Sequence, residues 1–130
     1  MISAPLTRAA SADLILTIDG DDLVIDGPSD AEALALALLA DERRVIAALT
    51  VLDLASRNWE TAVIVGGRWA DGGKFYDDDW RARHGCHRRK LLLGVVVGGS
   101  EERWREWVDR ATLVRLEEAA ALLRATERAA

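Results

Sequence analysis

A single cysteine, Cys86, occurs in 130 residues, so no internal disulfide can staple the fold. That usage suits a reducing compartment, and a cytoplasmic location is the expectation. Aromatic residues make up only 5% of the chain, and tryptophan supplies five of them. Positive charge is in deficit, with 17 Lys and Arg against 22 Asp and Glu and a net charge of -5, which argues against a nucleic-acid binder that uses its whole surface. Long apolar runs are missing as well. The longest, Leu91 to Val97 with one glycine inside it, is far too short to span a bilayer, and no membrane partner is expected. The opening residues Met1 to Arg8 have no basic region leading into an apolar stretch, so no signal peptide is expected.

What remains is a composition 50% hydrophobic and 30% charged, globular rather than disordered, in a length that suits one compact domain or two very small ones. The most legible stretch runs from Asp13 to Leu54. Leu14-Ile15-Leu16-Thr17-Ile18 reads as a strand. Asp19-Gly20 is a pair that accepts the positive φ values of a type I′ hairpin turn. Leu23-Val24-Ile25 is the return strand, closed by Gly27-Pro28. Leu14, Leu16 and Ile18 share one face, as do Leu23 and Ile25 on the second strand. A lone hairpin is marginal in water, so that face must lie on something apolar.

Helices supply the cover. Ser29-Asp30-Ala31-Glu32 is a capping-box pattern opening a helix to Ala40 that is almost wholly Ala and Leu. Leu34, Leu36, Leu38 and Leu39 give it apolar residues on more than one side, which predicts burial or two neighbours. Asp41 then caps a second helix through Val45, Leu49 and Leu52, with Arg43 and Arg44 on its wet side. Pro5 to Ala12 is weakly helical.

The run Leu16-Thr17-Ile18-Asp19-Gly20-Asp21-Asp22-Leu23, with Asp26-Gly27-Pro28 and Ala40 to Leu49, resembles the TubC-type N-terminal docking domain of nonribosomal peptide synthetase assembly lines. The resemblance covers the chain as far as Ala55. It departs from that family in its poor first helix and in having Glu42-Arg43 where a His-Lys pair is usual. It implies that the hairpin pairs with an extended segment, often the C-terminal tail of another protein, along an edge at Asp22, Leu23, Val24, Ile25 and Asp26, with Asp19 and Asp21 beside it. Physics allows that use, because the open edge of a short sheet can be extended by β-augmentation. Docking hairpins of the family are often basic. Here Asp13, Asp19, Asp21, Asp22, Asp26, Asp30 and Glu32 occur with no Lys or Arg among them, either as turn formers and edge guards or as a means of partner choice.

Ser56-Arg57-Asn58 reads as a boundary between residues 1–56 and a second unit, 57–130. The second unit holds a strand within Trp59 to Val65 ended by Gly66-Gly67, a loop-like stretch, and the buried strand Leu91 to Val97. Gly98-Gly99-Ser100 turns that strand into one long helix, Glu101 to about Arg128. On that helix Trp104, Trp107, Ala111, Val114, Ala121 and Ala125 make one stripe, and Leu113, Leu116, Ala120 and Leu123 another. Two stripes mean deep burial or a homodimer face, with Ala31 to Leu39 or a second copy as neighbour. Trp104 should be core, and Glu118 should matter little.

Chemistry is sparse. Gly98-Gly99-Ser100 precedes a helix, but Glu101 and Glu102 repel phosphate, and no Gly-rich phosphate motif exists, so no cofactor is expected. His84, Cys86 and His87 are too few for a usual zinc site, and no metal or catalytic residue is assigned. Arg81, Arg83, Arg88, Arg89 and Lys90, beside Trp80, form a basic segment that could track a phosphate backbone. The fold class is therefore α+β: a hairpin packed on two helices, then a second small α+β unit with a long C-terminal helix. The expected role is a non-catalytic docking module. The alternative is a nucleic-acid accessory protein using Arg81 to Lys90.

Overall fold

A computed structural model describes residues 3–69 and 92–129. The basic segment Arg81 to Lys90 with Trp80, the carboxylates Asp77 to Asp79, and His84, Cys86 and His87 lie outside the described residues. The fold is α+β, in the order α1 (Pro5–Ser11), β1 (Ile15–Asp19), β2 (Asp22–Asp26), a 3-10 turn (Ser29–Ala31), α2 (Glu32–Ala40), α3 (Glu42–Ala55), β3 (Val63–Trp69), β4 (Leu92–Val97), α4 (Glu101–Arg110) and α5 (Leu113–Ala129). Among the described residues β1 pairs only with β2 and β3 only with β4, both antiparallel.

Two apolar clusters form the interior. One gathers Ala9, Leu14, Leu23, Leu38 and Val45, with Leu16, Ile25, Leu34, Ile46 and Leu49 packed against them, so the hairpin lays Leu14, Leu16, Leu23 and Ile25 on the helices, whereas Ile18, expected on the same buried face, stands exposed beside the turn. The other is larger. It joins Ala48, Val51, Leu52 and Ala55 of α3 to Val63, Val65 and Val97 of the second sheet and to Trp104, Val108, Leu116, Ala119 and Leu123. Helix α3 thus buries its first turns under the hairpin and the rest of its length under the second unit, so the segments on either side of residue 56 share it.

Several local expectations are corrected by long-range contacts. Arg44, expected on the wet side, is only 6% exposed. Its Nε and one terminal nitrogen donate to the carbonyls of Ala111 (3.0 Å) and Asp109 (3.2 Å) at the end of α4. Neither Ser29 nor Asp41 makes a side-chain cap; Ser29 lies inside the 3-10 turn. The glycines Gly66-Gly67 do not end β3. The strand runs on to Trp69 across a bulge between Val65 and Arg68, with Gly66 in the left-handed region (φ 69°) that such a bulge needs.

The long last helix is two. α4 ends at Arg110, Ala111 is extended, and the Thr112 hydroxyl accepts from Arg115 N to start α5. The break rotates the stripes out of phase. Trp104 and Val108 are buried on α4, and Leu116, Ala119, Ala120 and Leu123 on α5, whereas Val114, Ala121 and Ala125 face outward. The helix packed against α5 is α3, through the larger cluster, rather than Ala31 to Leu39.

Glu118 is not idle either. Its Oε1 accepts the bulge N–H of Gly66 at 2.6 Å and its Oε2 accepts from Arg115 at 3.0 Å. Removing an acceptor from a half-buried donor costs about 1–2 kcal/mol. Glu118→Ala should therefore lower the urea midpoint visibly, while Glu117→Ala, an exposed neighbour, should leave it near the wild-type value.

Candidate interaction site on the first hairpin

The site begins with a two-residue connection. Gly20 and Asp21 form the turn, and Gly20 alone has positive φ (62°), so the pattern is that of a type II′ turn centred one residue later than the Asp19-Gly20 pair suggested. The register is Ile15↔Asp26, Leu16↔Ile25, Thr17↔Val24, Ile18↔Leu23 and Asp19↔Asp22. Ile15, Thr17, Val24 and the aspartates at 19, 22 and 26 therefore share the outer face. Ile15 is 62% and Val24 44% exposed there, and nothing packs over them among the described residues.

The edges follow from the alternation of an antiparallel ladder, in which every second residue points its N–H and C=O outward. Leu23 N–H donates outward to Glu42 Oε1 at 2.8 Å, which fixes the phase. The outward set is then Leu23 and Ile25 on β2, and Leu14, Leu16 and Ile18 on β1. Leu14 N–H is held by Ala9 O of α1 at 2.9 Å. No third strand adds to either edge among the described residues.

Of the expected binding residues, Asp19, Asp21, Asp22, Val24 and Asp26 are exposed, Ile25 is half-buried, and Leu23 is buried in the core with its N–H already engaged. None of these aspartates forms an ion pair among the described residues. Two residues that the sequence reading passed over position the site. Asp109, buried on α4, accepts from Leu6 N (2.7 Å), Thr7 N (3.1 Å) and the Thr7 hydroxyl. It caps the N-terminus of α1, whose own N-cap position, Ala4, has no side chain for the purpose. Glu42 is the other, bracing β2 from the first turn of α3. Neither signal is local, since the partners of Asp109 stand about a hundred residues away in sequence.

Among the described residues no group of three or more His, Cys, Asp or Glu is placed to hold a metal. A depression of about 740 Å³, open to solvent, lies between α1 and α2 beside Arg8, Asp13 and Asp30. Arg57, on a solvent-facing surface, has its pKa raised above the usual value by its hydrogen bond and its charge pairing with Glu127. No described helix is long and apolar enough to cross a membrane.

No family model matches the chain, and neither a curated protein nor a solved structure matches it.

Proposed function

We propose that the chain is a non-catalytic docking module that takes an extended segment of another protein, such as a C-terminal tail, at the β1–β2 hairpin. The observation that carries this reading is the two-stranded sheet itself: neither outer edge has a third strand among the described residues, and its outer face shows Ile15 and Val24 to solvent. Backbone donors at a sheet edge give affinity to an incoming strand, and exposed side chains beside them give selectivity. The inner face is tied to three helices, so the edge is presented in one conformation and little ordering cost falls on the module when a peptide binds. The docking mode is the one implied by the TubC-type resemblance.

Titration of the isotope-labelled chain with C-terminal peptides of proteins encoded beside it tests the reading. Amide resonances of residues 15 to 26 should shift with at least one tail, while those of α5 stay in place. Absence of any shift in that stretch up to about millimolar peptide, a very weak affinity limit, would remove the support for docking.

A further inference from the structure

The two edges of the hairpin are not equivalent. On β2, Glu42 already accepts the outward N–H of Leu23, and the first turns of α3 lie alongside, which leaves Ile25 as the one outward donor of that strand without a partner among the described residues. On β1, α1 takes Leu14 N–H and then stops. Leu16 and Ile18 follow as consecutive outward positions whose N–H groups donate to nothing among the described residues. An added strand needs at least two such positions in a row to set its register. Asp13 and Asp19 stand at the two ends of this free stretch, roughly 20 Å apart at the rise of an extended chain. Both are exposed and neither has an ion-pair partner among the described residues.

Building on the docking reading, we propose that the docking edge is that of β1, and that its partner is an extended cationic segment. Its apolar residues run beside Ile15, and its lysines or arginines sit against Asp13 and Asp19. Two arguments select this occupant. The first is charge complementarity, since the turn adds Asp21 and Asp22 and no base lies between Asp13 and Glu32. The second excludes a second copy. Antiparallel pairing of two β1 edges would bring Asp13 of one protomer toward Asp19 of the other at both ends, and like charges placed opposite each other across a sheet are unfavourable. The same aspartates that attract a basic strand thus guard the edge against self-pairing.

The probe is a short synthetic peptide alternating valine and threonine between two lysines, with a twin carrying glutamates, each dye-labelled and titrated into the full chain. At low salt the lysine peptide should bind at least about tenfold more tightly than its twin. Most of that preference should vanish at about 300 mM salt, where the screening length is only several ångströms. Asp13→Asn together with Asp19→Asn should also erase most of it, and asparagine tolerates the positive φ of residue 13 (60°).

Amide hydrogen exchange locates the edge without any mutation: bound peptide should slow exchange at Leu16 and Ile18 and leave Ile25 unchanged. Ile18→Pro, which deletes one outward donor, should abolish binding, whereas Ile25→Pro should not. Equal affinity for the two twins would overturn the cationic partner and leave docking intact. Protection at Ile25 in place of Leu16 and Ile18 would overturn the choice of edge. Failure of both synthetic peptides and of every natural tail would sink the docking reading and this inference with it. A wild-type dimer that dissociates when Ile18 becomes proline would show that a second copy is the occupant.

Discussion

Trp104→Ala is expected to remove about 3–5 kcal/mol of stability, a large part of the roughly 5–15 kcal/mol available to a domain of this size. The indole is fully buried, at 0% exposure, between α3, the second sheet and α5. It meets Trp107 edge-on at 6.3 Å with the rings 89° apart, and its Nε1 donates to Trp59 O at 2.9 Å. Truncation loses the packing, opens a cavity of aromatic size and leaves the Trp59 carbonyl with the Gly99 N–H as its remaining donor. Val114→Ala is the control, because Val114 is exposed. Urea unfolding followed by circular dichroism compares them. Val114→Ala should track wild type and Trp104→Ala should unfold at a much lower concentration; coincident midpoints would mean that the α4 tryptophan is not core.

Arg44→Ala should be the second large loss, about 3 kcal/mol, for an electrostatic reason. The guanidinium satisfies two carbonyls at the C-terminal end of α4 and lies 3.6 Å from Asp41, whose buried Oδ2 has no hydrogen-bond partner. Deleting it leaves two carbonyls unpaired, each costing on the order of 1 kcal/mol or more, and removes the compensating charge from a partly buried carboxylate. Arg44→Lys should recover only a fraction, since an ammonium cannot reproduce the planar fork. Hydrogen exchange should quicken at residues 109 to 116 in Arg44→Ala and remain slow in wild type. Unchanged exchange there would show that Arg44 does not hold the α4–α5 junction.

What the sequence made legible was set by local rules. Alternation placed the hairpin and its buried face, and Ala-Leu composition placed α2. Two of the failures share one cause, which is that the decisive partners are distant. Helix α1 looked weak because its cap, Asp109, comes from α4. Arg44 looked solvent-facing because the carbonyls it serves lie beyond residue 108. The break at Ala111 carries neither glycine nor proline; the available signal was Thr112, a good N-cap residue, inside what read as a continuous pattern. At the candidate site the strands and the acidic character were readable. The difference between the two edges was not, because Glu42 and α1 reach them only in the folded chain.

Whether the hairpin accepts a third strand through its backbone is measured directly by isotope-filtered NMR of the chain with the lysine-flanked peptide. Backbone pairing predicts intermolecular contacts between peptide α-protons and the amide protons of Leu16 and Ile18, spaced at every second residue. Contacts confined to side chains, or falling on α4 and α5 and sparing residues 15 to 26, would contradict it.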